Sequence, residues 1–214
     1  ILDMGSKIQQ CINTDEYDNI KSVVNDYLKE GIAHTLDETR NLSDSGQFED
    51  ISLQQGIRQI LYPYEEMEVL NPEWEVILKD IIDSLFEQMS DEEYNILNEE
   101  FGTYMVSRVY EYRQLLEYLV FRYFAKSIYD YDFLGKCQML VTNFFVIRQM
   151  DIIRWLDNHR EYSFKDRMDV VHIFSRQVEY SEDNIENLYE DFIFDDIFKT
   201  DSLIAILWID SENI

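Results

Sequence analysis

A chain of 214 residues with only two prolines and six glycines has little with which to break a helix. Proline removes a backbone donor and glycine frees the backbone to turn, so their scarcity leaves long uninterrupted segments. Apolar residues recur through those segments at three- and four-residue spacing, and no alternation of strand and helix patterns is visible. The pattern predicts an all-α fold, an irregular helical bundle of seven to nine helices. The length suffices for one large domain or two small ones, either with a real core. The sequence also carries 15 Tyr and 13 Phe. A tyrosine ring can pack inside while its hydroxyl meets a polar partner, which suits thick helix interfaces.

The first helix is expected over Ile8–Leu28, with Ile8, Ile12, Ile20, Val23, Val24, Tyr27 and Leu28 on one face and Gly31 as its stop. Residues 37–50 are polar, contain Gly46 and read as a loop. A second helix is expected over Ile51–Leu61, ending before Pro63, since proline disfavours helix in its predecessor. Residues 1–62 thus read as an N-terminal helical segment and 63–214 as the main bundle. Asn71 followed by Pro72 marks a helix start, and Ser90 with Glu93 forms a capping box. A long helix is expected over Tyr104–Ile128. Phe133–Leu156 is the most hydrophobic element and the expected central helix. Ser163 caps a helix through Val178, and Ser181, with Glu182 and Asp183 behind it, starts another through Phe194. Asp201–Ile209 closes the chain.

Net charge is −26, from 18 basic and 44 acidic side chains. That balance argues against binding to nucleic-acid phosphates, which needs a basic footprint. It admits a basic partner such as a lysine-rich protein surface. Cys11 and Cys137 lie far apart without a CxxC context, so neither a disulfide framework nor a zinc or iron–sulfur signature is present. A reducing compartment, the cytoplasm, is the expected location. No signal segment is visible, and apolar runs such as Leu203–Ile209 are too short to cross a bilayer. The chain begins at Ile1 without an initiator Met and reads as a fragment of a longer protein.

Few residues stand out as chemical. Arg148 lies among Val141, Phe144, Phe145, Ile152 and Trp155 on the central helix. A guanidinium in such company must be paired, and Glu117 or Glu179 are its expected partners. It reads either as a carboxylate-binding group or, preferably, as half of a structural salt bridge. His172, Arg176 and Glu179 follow i, i+4, i+7 spacing and so share one helix face, with Ser181 and Asn184 at the next helix start. Such a cluster can hold a ligand, but more commonly it fixes the angle between two helices by satisfying free backbone groups. His34 and His159 are isolated and give no metal-ligand spacing. The run Asp195-Asp196-Ile197-Phe198-Lys199-Thr200-Asp201 is similar to the aspartate-rich magnesium motif of helical terpenoid synthases, but no second motif accompanies it and a solvated helix end is the better reading. No Gly-rich phosphate loop, GxSxG elbow or HExxH is present.

Three stretches in order, Leu116–Phe124 (LEYLVFRYF), the apolar helix with Val146-Ile147-Arg148, and Ser175–Asn184 (SRQVEYSEDN) with Leu188 a turn beyond, resemble the C-terminal part of flagellin lysine-N-methylases. The resemblance spans Trp74 to Phe192. It implies methyl transfer to lysine ε-amines of flagellin with S-adenosylmethionine as donor. It also implies a cysteine cluster in the other half of the protein that holds a metal or iron–sulfur centre. No such cluster exists here, and Tyr180 stands where the family tends to have His. The chain is therefore expected to be an accessory, substrate-presenting C-terminal region with its cofactors bound elsewhere. Its expected partners are flagellin or another lysine-rich protein and the cysteine-rich N-terminal half, with no nucleic acid and no membrane. Glu117, Arg122, Arg148, His172, Arg176, Glu179, Ser181 and Asn184 form the candidate polar cluster. The competing reading is a non-enzymatic acidic helical protein-binding module.

Overall fold

A computed structural model describes residues 1–29 and 51–212; the expected loop at 37–50, Gly31 and His34 lie outside the described residues. Eleven helical segments follow: α1 (Leu2–Asn13), α2 (17–29), α3 (Leu53–Glu65), α4 (Pro72–Ile81), α5 (Asp91–Met105), α6 (Val109–Tyr123), the single turn α7 (Ser127–Asp130), α8 (Phe133–Asp157), α9 (Phe164–Phe174), α10 (Glu182–Phe194) and α11 (Thr200–Glu212). No strand occurs among the described residues. The fold is the expected all-α bundle.

α8 is the central helix and is buried on nearly every side. A helix covered all round must be apolar or must have its polar groups satisfied by neighbours. Tyrosine meets that need, as the composition predicts. Tyr64 Oη donates to Asn143 Oδ1 at 2.7 Å, and Tyr94 Oη donates to Gln149 Oε1 at 3.0 Å. Gln138 Nε2 donates to the Phe198 carbonyl at 2.8 Å. The surrounding core is one continuous cluster that runs from Leu2 through Leu61, Trp74, Phe101, Phe145 and Phe174 to Ile206.

The helix starts lie where side-chain caps dictate. Ser52 and Asn71 accept from the amides of Gln55 and Glu73, and Ser90–Glu93 and Ser163–Asp166 form complete capping boxes. The Ser90 amide and hydroxyl hold the Glu93 carboxyl below its ordinary value. Burial works to raise Asp166, but Ser163 and Asn158 overcome it and lower that carboxyl too. Carboxyls depressed in the folded state stabilise it above their unfolded values, and the gain is lost as pH falls through the folded values. The double variant Ser90→Ala/Ser163→Ala is therefore expected to lose less stability than the wild type between about pH 6 and pH 3, as read by urea unfolding.

Four expected boundaries change. The helix expected over Ile8–Leu28 is two helices, because Asp15 takes a left-handed φ of 58° and the Thr14 hydroxyl turns back onto the Gln10 carbonyl. α3 continues through Pro63 to Glu65, with Pro63 buried in its last turn. The helix expected over Tyr104–Ile128 breaks at Val106–Arg108 and again at Phe124–Lys126, both 3₁₀ turns. The helix expected to run from Ser163 through Val178 becomes a π-helix over Ser175–Glu179, as does the end of α4 over Ile82–Glu87. Each π turn inserts a residue and rotates the following side chains by about 100°.

α1 lies close against α8. A Cβ built on Gly5 would meet Cys137 Sγ at 2.6 Å, so only glycine permits this approach. Gly5→Ala is expected to cost about 1–3 kcal/mol in urea unfolding, and Cys137→Ala in the same chain should recover most of it. No helix among the described residues is long and apolar enough to cross a membrane.

Candidate functional site

A cavity beside α8 is lined by residues of α5, the break at Val106–Arg108 and α6. It is an apolar groove of about 750 Å³, walled by Met105, Val106, Val109, Leu116, Val120 and Phe121, with Phe101, Tyr112, Phe144 and Arg148 at its floor. Arg113 and Glu117 stand at its mouth and pair with each other at 2.9 Å. Val106, Val109 and Phe121 are 62%, 65% and 85% exposed.

Arg148 is 3% exposed, as its sequence setting demands, but its expected partners are wrong. Neither Glu117 nor Glu179 reaches it. Nη1 donates to Asp210 Oδ1 at 3.0 Å and to Asn98 Oδ1, and Asn98 Nδ2 donates to Asp210 Oδ1 at 2.7 Å. Asp210 comes from α11 at the far end of the sequence, a separation that helix periodicity does not address. Arg148 Nη2 has no hydrogen-bond partner among the described residues.

A second charged network, which periodicity does not single out, lies one turn further along α8. Asp151 is fully buried and accepts from Tyr112 Oη at 2.7 Å, Tyr162 Oη and Arg167 Nη1. Arg167 stacks 4.2 Å from the Tyr112 ring centre, and its Nε lies 3.5 Å from Glu111 Oε2. Arg108 closes the network on Glu111 at 2.8 and 2.9 Å. Burial raises the Asp151 carboxyl above its ordinary value, against the opposing pull of Arg167 and the two phenols. Burial would lower Arg167, but Asp151 and the phenols overcome it and raise it. With three donors converging on it, Asp151 stands as a carboxylate paired to a guanidinium. One signal could have found it: a charged residue on the expected central helix, three positions after Arg148.

The candidate polar cluster divides. Arg122 and Glu179 do meet: Tyr118 Oη and Tyr123 Oη donate to the Glu179 carboxylate at 3.0 and 3.3 Å, and Arg122 Nε lies 3.9 Å from it. Beside them, Ser181 caps α10 by accepting from the Asn184 amide at 3.1 Å. Asn184 clamps Glu68 through both its amide and its carbonyl, and Gln177 Oε1 accepts from the Leu70 and Asn71 amides at 2.9 and 3.1 Å. The junction thus fixes the 66–71 loop by satisfying its backbone. His172, Arg176 and Glu179 do not share a face. The π-helix turns Glu179 inward and leaves His172 and Arg176 exposed, with His172 in a cleft beside Glu73, Arg154 and Asp169. Glu117 is exposed at the groove mouth, and Tyr180 is exposed at the surface.

The fold and these sites define an all-α domain with a charged interior and a large apolar groove. More particularly, the chain belongs to the FliB lysine N-methylase C-terminal domain family, whose model matches residues 1–206. It is thus a region of a lysine N-methylase. No curated protein and no solved structure matches the chain.

Proposed function

We propose that this region captures a lysine-bearing protein, flagellin in the first place, and presents it to catalytic groups carried elsewhere in the same methylase. The observation that carries the reading is a net charge of −26 in a member of a lysine-methylase family. Carboxylates attract a lysine ammonium and, by favouring its charged form, raise its pKa. Methyl transfer needs the neutral amine: its lone pair forms the N–C bond as the donor's C–S bond breaks, and the proton leaves to a base. An acidic surface therefore concentrates lysine without preparing it for attack. Capture and chemistry separate on that ground.

S-adenosylmethionine is read as bound mainly outside this chain, because the groove is lined mostly by apolar residues and its Arg113 and Glu117 are already paired with each other. The implied cysteine-bound metal does not fit these residues either. Cys11 and Cys137 are buried, and burial pushes the Cys137 thiol up to about 12, against the thiolate a metal needs.

Exposed Glu75, Glu87, Glu186 and Glu190 offer the test. Reversing all four to Lys in the full-length protein is expected to raise KM for flagellin several-fold and to leave kcat within about twofold. A fall in kcat at unchanged KM would overturn the capture role. A full-length protein that binds lysine-rich proteins and methylates none would favour the acidic binding module instead.

A further inference from the structure

Glu73, Val76 and Ile77 stand at i, i+3 and i+4 on α4, and Asp169, His172 and Ile173 repeat that spacing on α9. Each helix thus turns one face to a shared cleft of about 590 Å³, whose lining Arg154 of α8 completes. Arg154 is the cation that the fold leaves unanswered. Arg58, Arg108, Arg122, Lys136, Arg148 and Arg167 are the other buried or half-buried lysines and arginines among the described residues, and each reaches a carboxylate at 3.9 Å or less. Arg154 is half-buried and has neither an ion pair nor a side-chain hydrogen bond among the described residues. Its charge helps to lower the Asp166 carboxyl, but from beyond ion-pair reach. A guanidinium that has shed part of its water with its donors unmet is a place for an acceptor brought from outside.

Two carboxylates, Glu73 and Asp169, line the same cleft without pairing to Arg154. They oppose a phosphate, which would bring further negative charge, and favour a ligand that carries a cation beside its acceptor. Val76, 60% exposed, adds an aliphatic wall with Ile77 and Ile173. We propose that this cleft anchors one lysine of the substrate polypeptide, with its ammonium on Glu73 and Asp169, its stem along Val76, Ile77 and Ile173, and a backbone carbonyl on Arg154. The proposal rests on the substrate-capturing reading above and adds the place where the polypeptide is held. A lysine within a polypeptide carries an ammonium, a four-carbon apolar stem and a carbonyl acceptor on one residue, which is what the cleft lacks on each count. Lysine is also the residue on which the family of this chain acts. A lysine held here stays protonated, because the carboxylates favour its charged form. It is an anchor, and the lysine to be methylated is a different one.

The test titrates two labelled, end-capped peptides into the full-length protein and reads fluorescence anisotropy. They differ at one position, lysine or norleucine, so the second keeps the stem and backbone and lacks the ammonium. The lysine peptide is expected to bind about tenfold more tightly. Glu73→Gln/Asp169→Asn should cut that preference to about twofold or less, because the carboxylates alone read the ammonium. Arg154→Gln should instead weaken both peptides by a similar factor, about tenfold, because it removes a contact to the backbone they share. Urea unfolding checks that these variants keep the fold. A lysine preference untouched by Glu73→Gln/Asp169→Asn would overturn the proposal, as would a lysine peptide that does not bind at all. Tighter lysine binding by Arg154→Gln would mean that the guanidinium repels the ligand, and would overturn it too. Displacement of label by free lysine but not by end-capped lysine would make the ligand a zwitterionic amino acid and overturn the polypeptide. If the cleft variants fail while reversal of the four surface glutamates still raises KM for flagellin, the cleft falls and the capture reading stands.

Discussion

Asp151→Ala is expected to cost about 3–5 kcal/mol, a large share of the roughly 5–15 kcal/mol that holds a domain folded. The carboxylate is fully buried, and its removal leaves the buried guanidinium of Arg167 with only Glu111, at 3.5 Å and shared with Arg108. It also leaves the Tyr112 and Tyr162 hydroxyls without their acceptor. The cost comes from the unpaired charge left behind, not from the strength of the pair. Asp151→Leu combined with Arg167→Met is therefore expected to be less damaging than Asp151→Ala alone, since no lone charge remains. Urea unfolding of the two variants decides the matter. A double variant worse than the single one would mean that the network stabilises beyond mutual compensation.

Asp210→Ala should have an effect of the same order, and Glu117→Ala almost none. Asp210 is the buried acidic partner of Arg148 and ties α11 to α8. Removing it leaves a guanidinium in the core held by Asn98 alone, at a cost of about 3–5 kcal/mol. Glu117 pairs with Arg113 in solvent, and exposed pairs contribute under about 1 kcal/mol. Hydrogen exchange should also find α11 less protected in Asp210→Ala. If Glu117→Ala proved the more damaging, the partner assignment of Arg148 would be reversed.

Helix caps were legible residue by residue. Asn71, Ser90, Ser163 and Ser181 each cap through a side chain whose partner lies two or three residues away, so local sequence contains the whole interaction. The central place of α8 was legible too, because its apolar residues recur on every side of the helix and so need cover all round. Breaks inside apparently continuous helices were not. The 3₁₀ turn at Val106–Arg108 interrupts good helix spacing without proline or glycine, and the π turn at Ser175–Glu179 rotates Glu179 away from His172 and Arg176. Both depend on how neighbouring helices pack, which periodicity does not carry.

The sequence by itself determined that this chain is helical, that it is strongly acidic, that Arg148 is buried and must be paired, and that it resembles the lysine methylase family to which it belongs. Only the tertiary structure decided the partners. Arg148 pairs with Asp210 across 62 residues, Asp151 with Arg167 from the next helix, and Arg122 with Glu179 across 57. Burial of a charge is a local property of the residues around it, whereas the identity of its counter-charge depends on which helices the fold brings together. The groove has the same origin: residues of α5, α6 and α8 line it together, and no single helix encodes the space between them.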